Sequence, residues 1–333
     1  MLPESVKHAT RRFGGHEVES GYRIRPYAAG DEAGLLAAWN AAMWADPLDA
    51  FRWRSTYLLD PNFDPETCLV AEEEHGGIVG FVLGLTDSQG GSPDAWIVGF
   101  GVVPAHRRKG IGTALMHRLK DAWHERGVST IHIGPYIPSY LTPGVDVAAY
   151  ADGIAFLRTV GATEGGRPVS MKANLTNYRA RESVAPLTDR LAAEGIAFRA
   201  ATAGDILPLL HFMEARFAHW VPDVRRALQG MVRGDAASTT LQLATDNGEI
   251  IGYAQTDRER FGPFGVNEAY RGRGIGAVLL SRTLVTMRAQ GYHSAWFLWT
   301  SDRTAKLYGE HGFEEVRRFQ MIDIPLKDRA TPS

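Results

Sequence analysis

The chain has 333 residues, enough for two domains of ordinary size, each with its own core. Its apolar share of 44% and charged share of 22% are those of a globular protein, and a net charge of −2 argues against nucleic acid or an anionic membrane as the main partner. The single cysteine, Cys68, excludes an intramolecular disulfide framework and any cysteine-based metal cluster, and no apolar run has the length of a membrane span.

Residues 1–20 lack the apolar core of a signal peptide and read as a flexible arm on a cytoplasmic protein. Tyr22–Pro26 alternates like a strand, and Asp31 is placed to cap a helix that starts at Glu32. A polar, aromatic-rich segment runs from Met43 to Asn62. Thr67–Glu73 and Ile78–Thr86 then form a hairpin across His75-Gly76-Gly77. Cys68 lies in the first of these strands, where a small buried hydrophobe is expected rather than a nucleophile. After a loop at Ser88–Asp94 come a strand, Ala95–Val103, and a basic glycine turn, Arg107-Arg108-Lys109-Gly110-Ile111-Gly112. The helix that follows, to Arg126, places Ile111, Leu115, Leu119 and Trp123 on one face. A strand Ser129–Gly134, a short helix Gly153–Thr159 and a strand Ala162–Leu175 complete this part. Residues 176–195 read as a linker with a helical portion.

The order then begins again. A strand Ala197–Ala201 precedes a helix capped by Asp205, and a hairpin crosses Asp246-Asn247-Gly248, a type I′ turn signal. An apolar strand leads into a second glycine turn, Arg271-Gly272-Arg273-Gly274-Ile275-Gly276, and a helix with Ile275, Val278, Leu279, Leu284 and Met287 on one side. A strand His293–Thr300, a helix Asp302–His311, a strand Phe313–Pro325 and a tail, 327–333, end the chain. The repetition holds by offset: Ala29–Leu36 returns at Ala203–Leu210, 174 residues on, Ile78-Val79-Gly80 at Ile250-Ile251-Gly252, 172 on, and Arg107 at Arg271, 164 on. Gly161 and Gly312, which close the final helices, lie 151 apart. The shrinking offset puts insertions of copy one at Asp87–Asp94 and Tyr136–Asp152, in loops, and the whole reads as a tandem duplication.

A glycine turn that opens a helix leaves backbone N–H groups aimed at one spot, and flanking arginines add charge. Such a turn suits a phosphate or pyrophosphate. A dinucleotide-binding fold would place its glycines after the first strand; here the turn follows the fourth, and a basic residue opens it.

Arg-x-x-Gly-x-Gly after a fourth strand, with Ala305, Leu307, Tyr308, Gly312 and Phe313 ending the helix after the fifth, resembles the GNAT superfamily of acyl-CoA-dependent N-acyltransferases. The resemblance implies an α/β fold of two tandem GNAT-like domains, each a mixed, mostly antiparallel sheet flanked by helices. The first, 21–175, is expected to be degenerate and the second, 196–326, catalytic. It implies acetyl-CoA as co-substrate, no metal, and a small-molecule amine as acceptor. Pyrophosphate would sit on Arg271, Gly272, Arg273, Gly274, Ile275 and Gly276, and pantetheine beside Phe264, Gly265 and Val266. Copy one retains the matching turn at Arg107, Arg108, Lys109, Gly110 and Gly112, yet carries Leu157 where copy two has Tyr308.

Acyl transfer to an amine needs a proton acceptor for the amine and a donor for the leaving thiolate. The resemblance makes Tyr308 the general acid. Glu259 is the first candidate base, with Asp257 and Glu268 as alternatives, and His311 is expected at a helix end interacting with the dipole. Glu214, Phe217 and Trp220, between the first two helices of copy two, suit an amino sugar by stacking and hydrogen bonding. The tandem arrangement resembles bacterial glucosamine/glucosaminide N-acetyltransferases. A mycothiol-synthase-like enzyme, a protein or peptide acetyltransferase and a non-catalytic acyl-CoA sensor are the alternatives.

Overall fold

Among the described residues, which are 17–18, 21–86, 94–136, 141–234 and 239–326 of a computed structural model, the chain forms two eight-stranded sheets. The expected arm at 1–20, save residues 17–18, the loop at 87–93, positions 137–140 of the second insertion and the tail at 327–333 lie outside them.

In chain order the first half gives β1 (Glu17–Val18), β2 (Tyr22–Pro26), α1 (Glu32–Ala42) and α2 (Ala50–Arg52), which continues as a π-helix over Trp53–Leu58. Then come β3 (Phe63–Glu73), β4 (Ile78–Thr86), β5 (Asp94–Val102), α3 (Ile111–Glu125), β6 (Thr130–Ile133), β7 (Val145–Asp146), α4 (Ala151–Thr159), β8 (Thr163–Glu164) and β9 (Val169–Asn174). The linker holds α5 (Val184–Ala193). The second half gives β10 (Ile196–Ala200), α6 (Ile206–Arg216), α7 (Val221–Arg233), β11 (Thr239–Asp246), β12 (Glu249–Asp257) and β13 (Arg260–Val266). It ends with α8 (Ile275–Ala289), β14 (Ser294–Thr300), α9 (Asp302–Glu310), β15 (Phe313–Gln320) and β16 (Ile322–Pro325).

The sheets run β1-β2-β3-β4-β5-β6-β16-β8 and β10-β11-β12-β13-β14-β9-β15-β7. Only the central pairs, β5 with β6 and β13 with β14, are parallel among the registers described. The repeat extends to side chains: Gly80 pairs with Val102 in one sheet as Gly252 pairs with Val266 in the other, and Phe81 with Gly101 as Tyr253 with Gly265. At the second hairpin Asn247 and Gly248 both have positive φ, 47° and 93°, as a type I′ turn requires.

The two strands read as continuous, 162–175 and 313–325, are each broken, and their pieces serve different sheets. Strand β9 of the first half lies between β14 and β15, and β16 of the second half pairs with β6. The chain accordingly divides into two interlaced units rather than the contiguous spans 21–175 and 196–326. One unit comprises Met1–Leu141, Ala155–Thr163 and Ile322–Ser333, the other Thr142–Ile154 and Glu164–Met321.

A second correction concerns the helix starts. Asp31 and Asp205 make no side-chain cap to α1 or α6. Asp31 instead takes a two-pronged ion pair from Arg25, at 2.6 and 2.8 Å, and Asp205 takes the same from Arg199 at 2.6 Å on both prongs. Each clamp ties the end of a unit's first long strand to its first helix, and each carboxyl is held below its usual range, chiefly by its arginine.

In the first unit Trp39, Trp53, Tyr57, Phe81 and Leu83 fill the core between α1, the π-helix and the sheet. Trp39 stacks on Phe81 at 5.1 Å and lies so close to β5 that a Cβ on Gly99 would come within 2.2 Å of its ring. Cys68 is buried there, and burial pushes its thiol up, as suits a packing residue. In the second unit α8 packs on one face of the sheet, burying Val278, Leu279 and Leu284, while α6 and α7 cover Leu243 and Tyr253 on the other.

Candidate active site

The two glycine turns share one backbone design. Each is entered through a single turn of 3-10 helix, Pro104–His106 or Glu268–Tyr270. Positive φ then falls on alternate residues, Arg108 (62°) and Gly110 (80°) in the first, Gly272 (80°) and Gly274 (91°) in the second. This presents the N-terminal amides of α3 and α8, which have no side-chain cap. In both turns the leading arginine donates through Nε to the carbonyl five residues back, Arg107 to Val102 at 3.0 Å and Arg271 to Val266 at 3.4 Å.

The charge around them differs. In the second turn Arg271 meets Glu268 at 3.3 Å and Arg273 meets Glu194 at 2.5 Å. The linking helix α5 also supports this turn: Arg190 donates to the Arg273 carbonyl at 2.9 Å, and Leu187 packs where a Cβ on Gly274 would be 2.8 Å away. In the first turn no carboxylate pairs with Arg107, Arg108 or Lys109 among the described residues, and Lys109 reaches the Tyr22 hydroxyl at 3.4 Å. The Arg271–Glu268 pair is exposed on both sides, so it is weak and gives way readily to a more highly charged anion.

Beside each turn the parallel pair opens. Strands β5 and β6 are in register over four positions, ending at Ile97 with Ile133. Strands β13 and β14 are in register only at Arg260 with Trp296, so β13 runs on to Val266 with its far edge unpaired among the described residues. Such an edge accepts an extended polyamide chain as an added strand. Pro263 has no N–H to offer, so a donor to the open edge comes from among Phe264, Gly265 and Val266, whose N–H groups point alternately toward and away from β12.

Tyr308 stands next to this opening. Its ring packs against Phe261 (5.9 Å), Phe264 (6.1 Å), Phe297 (4.4 Å) and Phe313 (5.4 Å). A Cβ on Gly276 would lie 3.4 Å from Phe264 and 3.8 Å from Leu307, so turn, strand and the Tyr308 helix converge. The hydroxyl has no hydrogen-bond partner among the described residues, and burial raises its pKa, so it remains protonated at neutral pH. In the first unit Gly112 faces Phe100 and Phe156 in the same way, and the residue after Phe156 is the buried Leu157, which has no proton to give.

The candidate bases fare differently. Glu259 accepts from the Ser294 amide (3.2 Å) and hydroxyl (2.8 Å), fastening the starts of β13 and β14 together. The Ser294 hydroxyl, foremost among several contacts, holds its pKa below the usual carboxylate range, which makes Glu259 a structural tie and a poor proton acceptor. Asp257 and Glu268 are exposed. His311 is buried, with Nδ1 3.3 Å from the Tyr178 hydroxyl, and burial lowers its pKa. It is therefore a neutral core imidazole rather than a charged helix end.

Of the acceptor residues, Phe217 lies directly over β13: a Cβ on Gly265 would approach its ring to 2.6 Å. Trp220 stacks on Phe217 at 5.3 Å and remains partly accessible. Glu214 does not join them, being drawn off into an exposed pair with Arg225 at 3.1 Å. Three more residues stand in the same region, of which Tyr253 and Gln255 were missed in the sequence. His219 lies 4.6 Å from the Trp220 ring, and burial lowers its pKa below 6.5. Tyr253 and Gln255 are buried on β12, and the Tyr253 hydroxyl and Gln255 Oε1 have no hydrogen-bond partner. The available signal was the repeat itself, since copy one has Phe81 and Leu83 at these positions. Among the described residues no group of three or more His, Cys, Asp or Glu side chains is placed to hold a metal ion.

Comparison with known proteins gives the context of this geometry. The first half, residues 36–137, matches the family model described as acetyltransferase (GNAT) family, and residues 237–315 match a GNAT acetyltransferase domain. No curated protein matches the sequence. Among solved structures, a GCN5-related glucosamine N-acetyltransferase region of a fungal multi-domain GH3 beta-N-acetylglucosaminidase superposes with a TM-score of 0.78 at 19% identity, over 92% of this chain and 38% of that one. This chain thus spans well under half of the fungal protein. A GCN5-related N-acetyltransferase from Sphaerobacter thermophilus gives 0.70 at 18% identity, covering 93% and 98% of the two chains. A tandem GNAT protein of the clavulanic acid biosynthesis pathway gives 0.61 at 18%, covering 94% and 99%. With one such domain in each half, the chain belongs to the GNAT family of acyl-CoA-dependent N-acetyltransferases.

Proposed function

We propose that the second unit transfers an acetyl group from acetyl-CoA to the primary amine of a small polar acceptor, best an amino sugar, by direct attack in a ternary complex. The observation that carries this reading is the buried, unpartnered Tyr308 beside the open edge of β13, with the glycine turn meeting both through Gly276. In this reading Arg271 to Gly276 receive the pyrophosphate. An N–H among Phe264–Val266 holds the thioester carbonyl and the oxyanion that forms from it. The amine nitrogen bonds to the carbonyl carbon, the C–S bond breaks, and Tyr308 donates to the departing thiolate. With Glu259 tied to Ser294, the amine proton passes to solvent or to His219, whose imidazole is neutral at pH 7. Phe217 and Trp220 offer stacked faces to a sugar ring, and the fungal region of similar fold is described as a glucosamine N-acetyltransferase.

The first unit is the non-catalytic partner in this reading. It retains a basic turn, but Leu157 supplies no proton and Trp39, Trp53 and Tyr57 fill the region that an acceptor would enter. The experiment is a screen of CoA release from acetyl-CoA over amino sugars, aminoglycosides, amino acids and polyamines, with Arg271→Ala and Arg107→Ala alongside. Release with an amino sugar, and a rise of roughly tenfold or more in the KM for acetyl-CoA on Arg271→Ala, are expected from the loss of a charge-assisted phosphate contact. Activity lost on Arg107→Ala but kept on Arg271→Ala would move the reaction to the first unit.

A further inference from the structure

Strand β12 carries two buried polar atoms that the fold leaves unpaired. Tyr253 is fully buried and Gln255 nearly so, yet the Tyr253 hydroxyl and Gln255 Oε1 have no hydrogen-bond partner. A buried polar atom left unpaired costs about 1–3 kcal/mol, so it calls for a ligand or another explanation. The amide of Gln255 is not free to turn its oxygen elsewhere: Nε2 donates to the Asp223 carbonyl at 3.3 Å, and this fixes Oε1 on the opposite side. Both residues are on the face of the sheet covered by α6 and α7, where Phe217 and Trp220 pack on the Tyr253 ring at 5.9 and 6.3 Å. Tyr253 pairs in register with Gly265 of β13, within the stretch whose far edge is open. Burial, with the charge of Asp223 adding to it, raises the pKa of its hydroxyl.

The duplicated unit is an internal control. At the positions matching Tyr253 and Gln255 it carries Phe81 and Leu83, Phe81 pairing with Gly101 as Tyr253 pairs with Gly265, and both are sealed in the core. The fold therefore accepts apolar groups at both places. Only the unit that retains Tyr308 has polar ones there.

We propose that Tyr253 and Gln255 form the polar floor of the acceptor site, taking the hydroxyl and ammonium groups of a polyhydroxylated primary amine whose ring lies against Phe217 and Trp220. Gln255 Oε1 is acceptor-only and so selects a donor, an ammonium or a hydroxyl. Tyr253 can give or take a hydrogen bond, which suits a sugar hydroxyl. Asp223 is within reach to favour a cation, although Arg226 shares its carboxylate at 2.8 Å. The assignment rests on the second unit being the acyl-transferring one.

The test uses glucosamine as probe, titrated calorimetrically into the full chain saturated with CoA, for the wild type, Tyr253→Phe and Gln255→Leu. The expected result is binding to the wild type and at least tenfold weaker binding to each variant, with acetyl-CoA affinity unchanged. The thermal midpoint of Tyr253→Phe should hold or rise, because that substitution deletes only an unpaired buried hydroxyl, whereas Gln255→Leu also gives up the bond to the Asp223 carbonyl. Variants that bind glucosamine as the wild type does, or that lose stability without losing glucosamine, would assign a purely structural role and overturn the proposal. A wild type that binds no glucosamine would also overturn it. Failure of the wider reading shows separately, as acetyl-CoA binding that survives Arg271→Ala.

Discussion

Tyr308 owes its chemistry to the four phenylalanines around it. They remove it from water, raise its pKa and leave its hydroxyl unengaged. Tyr308→Phe should therefore lower kcat by about 10²-fold or more, the usual range for a positioned proton donor, with acetyl-CoA affinity and thermal midpoint little changed. For the same reason kcat should show no fall from Tyr308 ionisation up to about pH 10, the ordinary tyrosine value. Steady-state kinetics across pH tests both; an unchanged kcat in the variant removes Tyr308 from the mechanism. The residue was legible because it precedes Gly312-Phe313 at the spacing of a known helix ending. Glu259 was not, because its partner Ser294 is 35 residues away and on another strand. Local sequence also cannot show that Glu214 turns outward to Arg225, or that Tyr253 and Gln255 are unpaired: alternation along a strand tells which face a side chain takes, not what it meets there.

At the scale of elements, the paired clamps Arg25–Asp31 and Arg199–Asp205 replace the helix caps that the sequence suggested. An aspartate before a helix is read as a cap by default, but here each carboxylate takes the arginine of the preceding strand together with the amide three residues back, Ala28 or Thr202, and no amide of the long helix. Asp205→Asn should cost about 1–2 kcal/mol, toward the lower end for hydrogen bonds to a charged group because Arg199 is partly exposed. The folded pKa of Asp205 lies below its unfolded value, near 3.9, so this contribution is complete above that value and is lost as pH falls through the folded pKa. Urea unfolding of the wild type and variant should show a gap at pH 7 that narrows below pH 4; a gap independent of pH would mean that the clamp acts by shape alone. The hairpins were read correctly because Asn-Gly has one dominant turn type. The broken strand 162–175 carried a signal in Gly165-Gly166-Arg167-Pro168, whereas the break at Met321 has none. It is imposed by the two different sheets that β15 and β16 join.

At the scale of the molecule, the repeat found by offsets describes the ancestry of the chain and not its division into compact bodies. Strand β16 meets β6 at four positions, with Ile322 and Ile324 buried. Deleting residues 322–333 therefore removes two buried isoleucines worth about 1.5–3 kcal/mol each, and the strand that joins β6 to β8 in the first unit's sheet, although the deletion lies at the far end of the chain. Hydrogen exchange should show the amides of Thr130–Ile133 losing protection while those of Leu241–Leu243 keep theirs. Protection that persists at Ile131 and Ile133 would show that β16 adds little.

The same exchange sets a timetable for synthesis. A ribosome makes the first unit's strands β2 to β6 early, and domains of ordinary multidomain chains complete themselves in that order. Here β6 waits for its neighbour until residue 325 has left the exit tunnel, while the second unit has held its borrowed strand, β9, since before its own first strand was made. The half that is translated first is the half that is finished last.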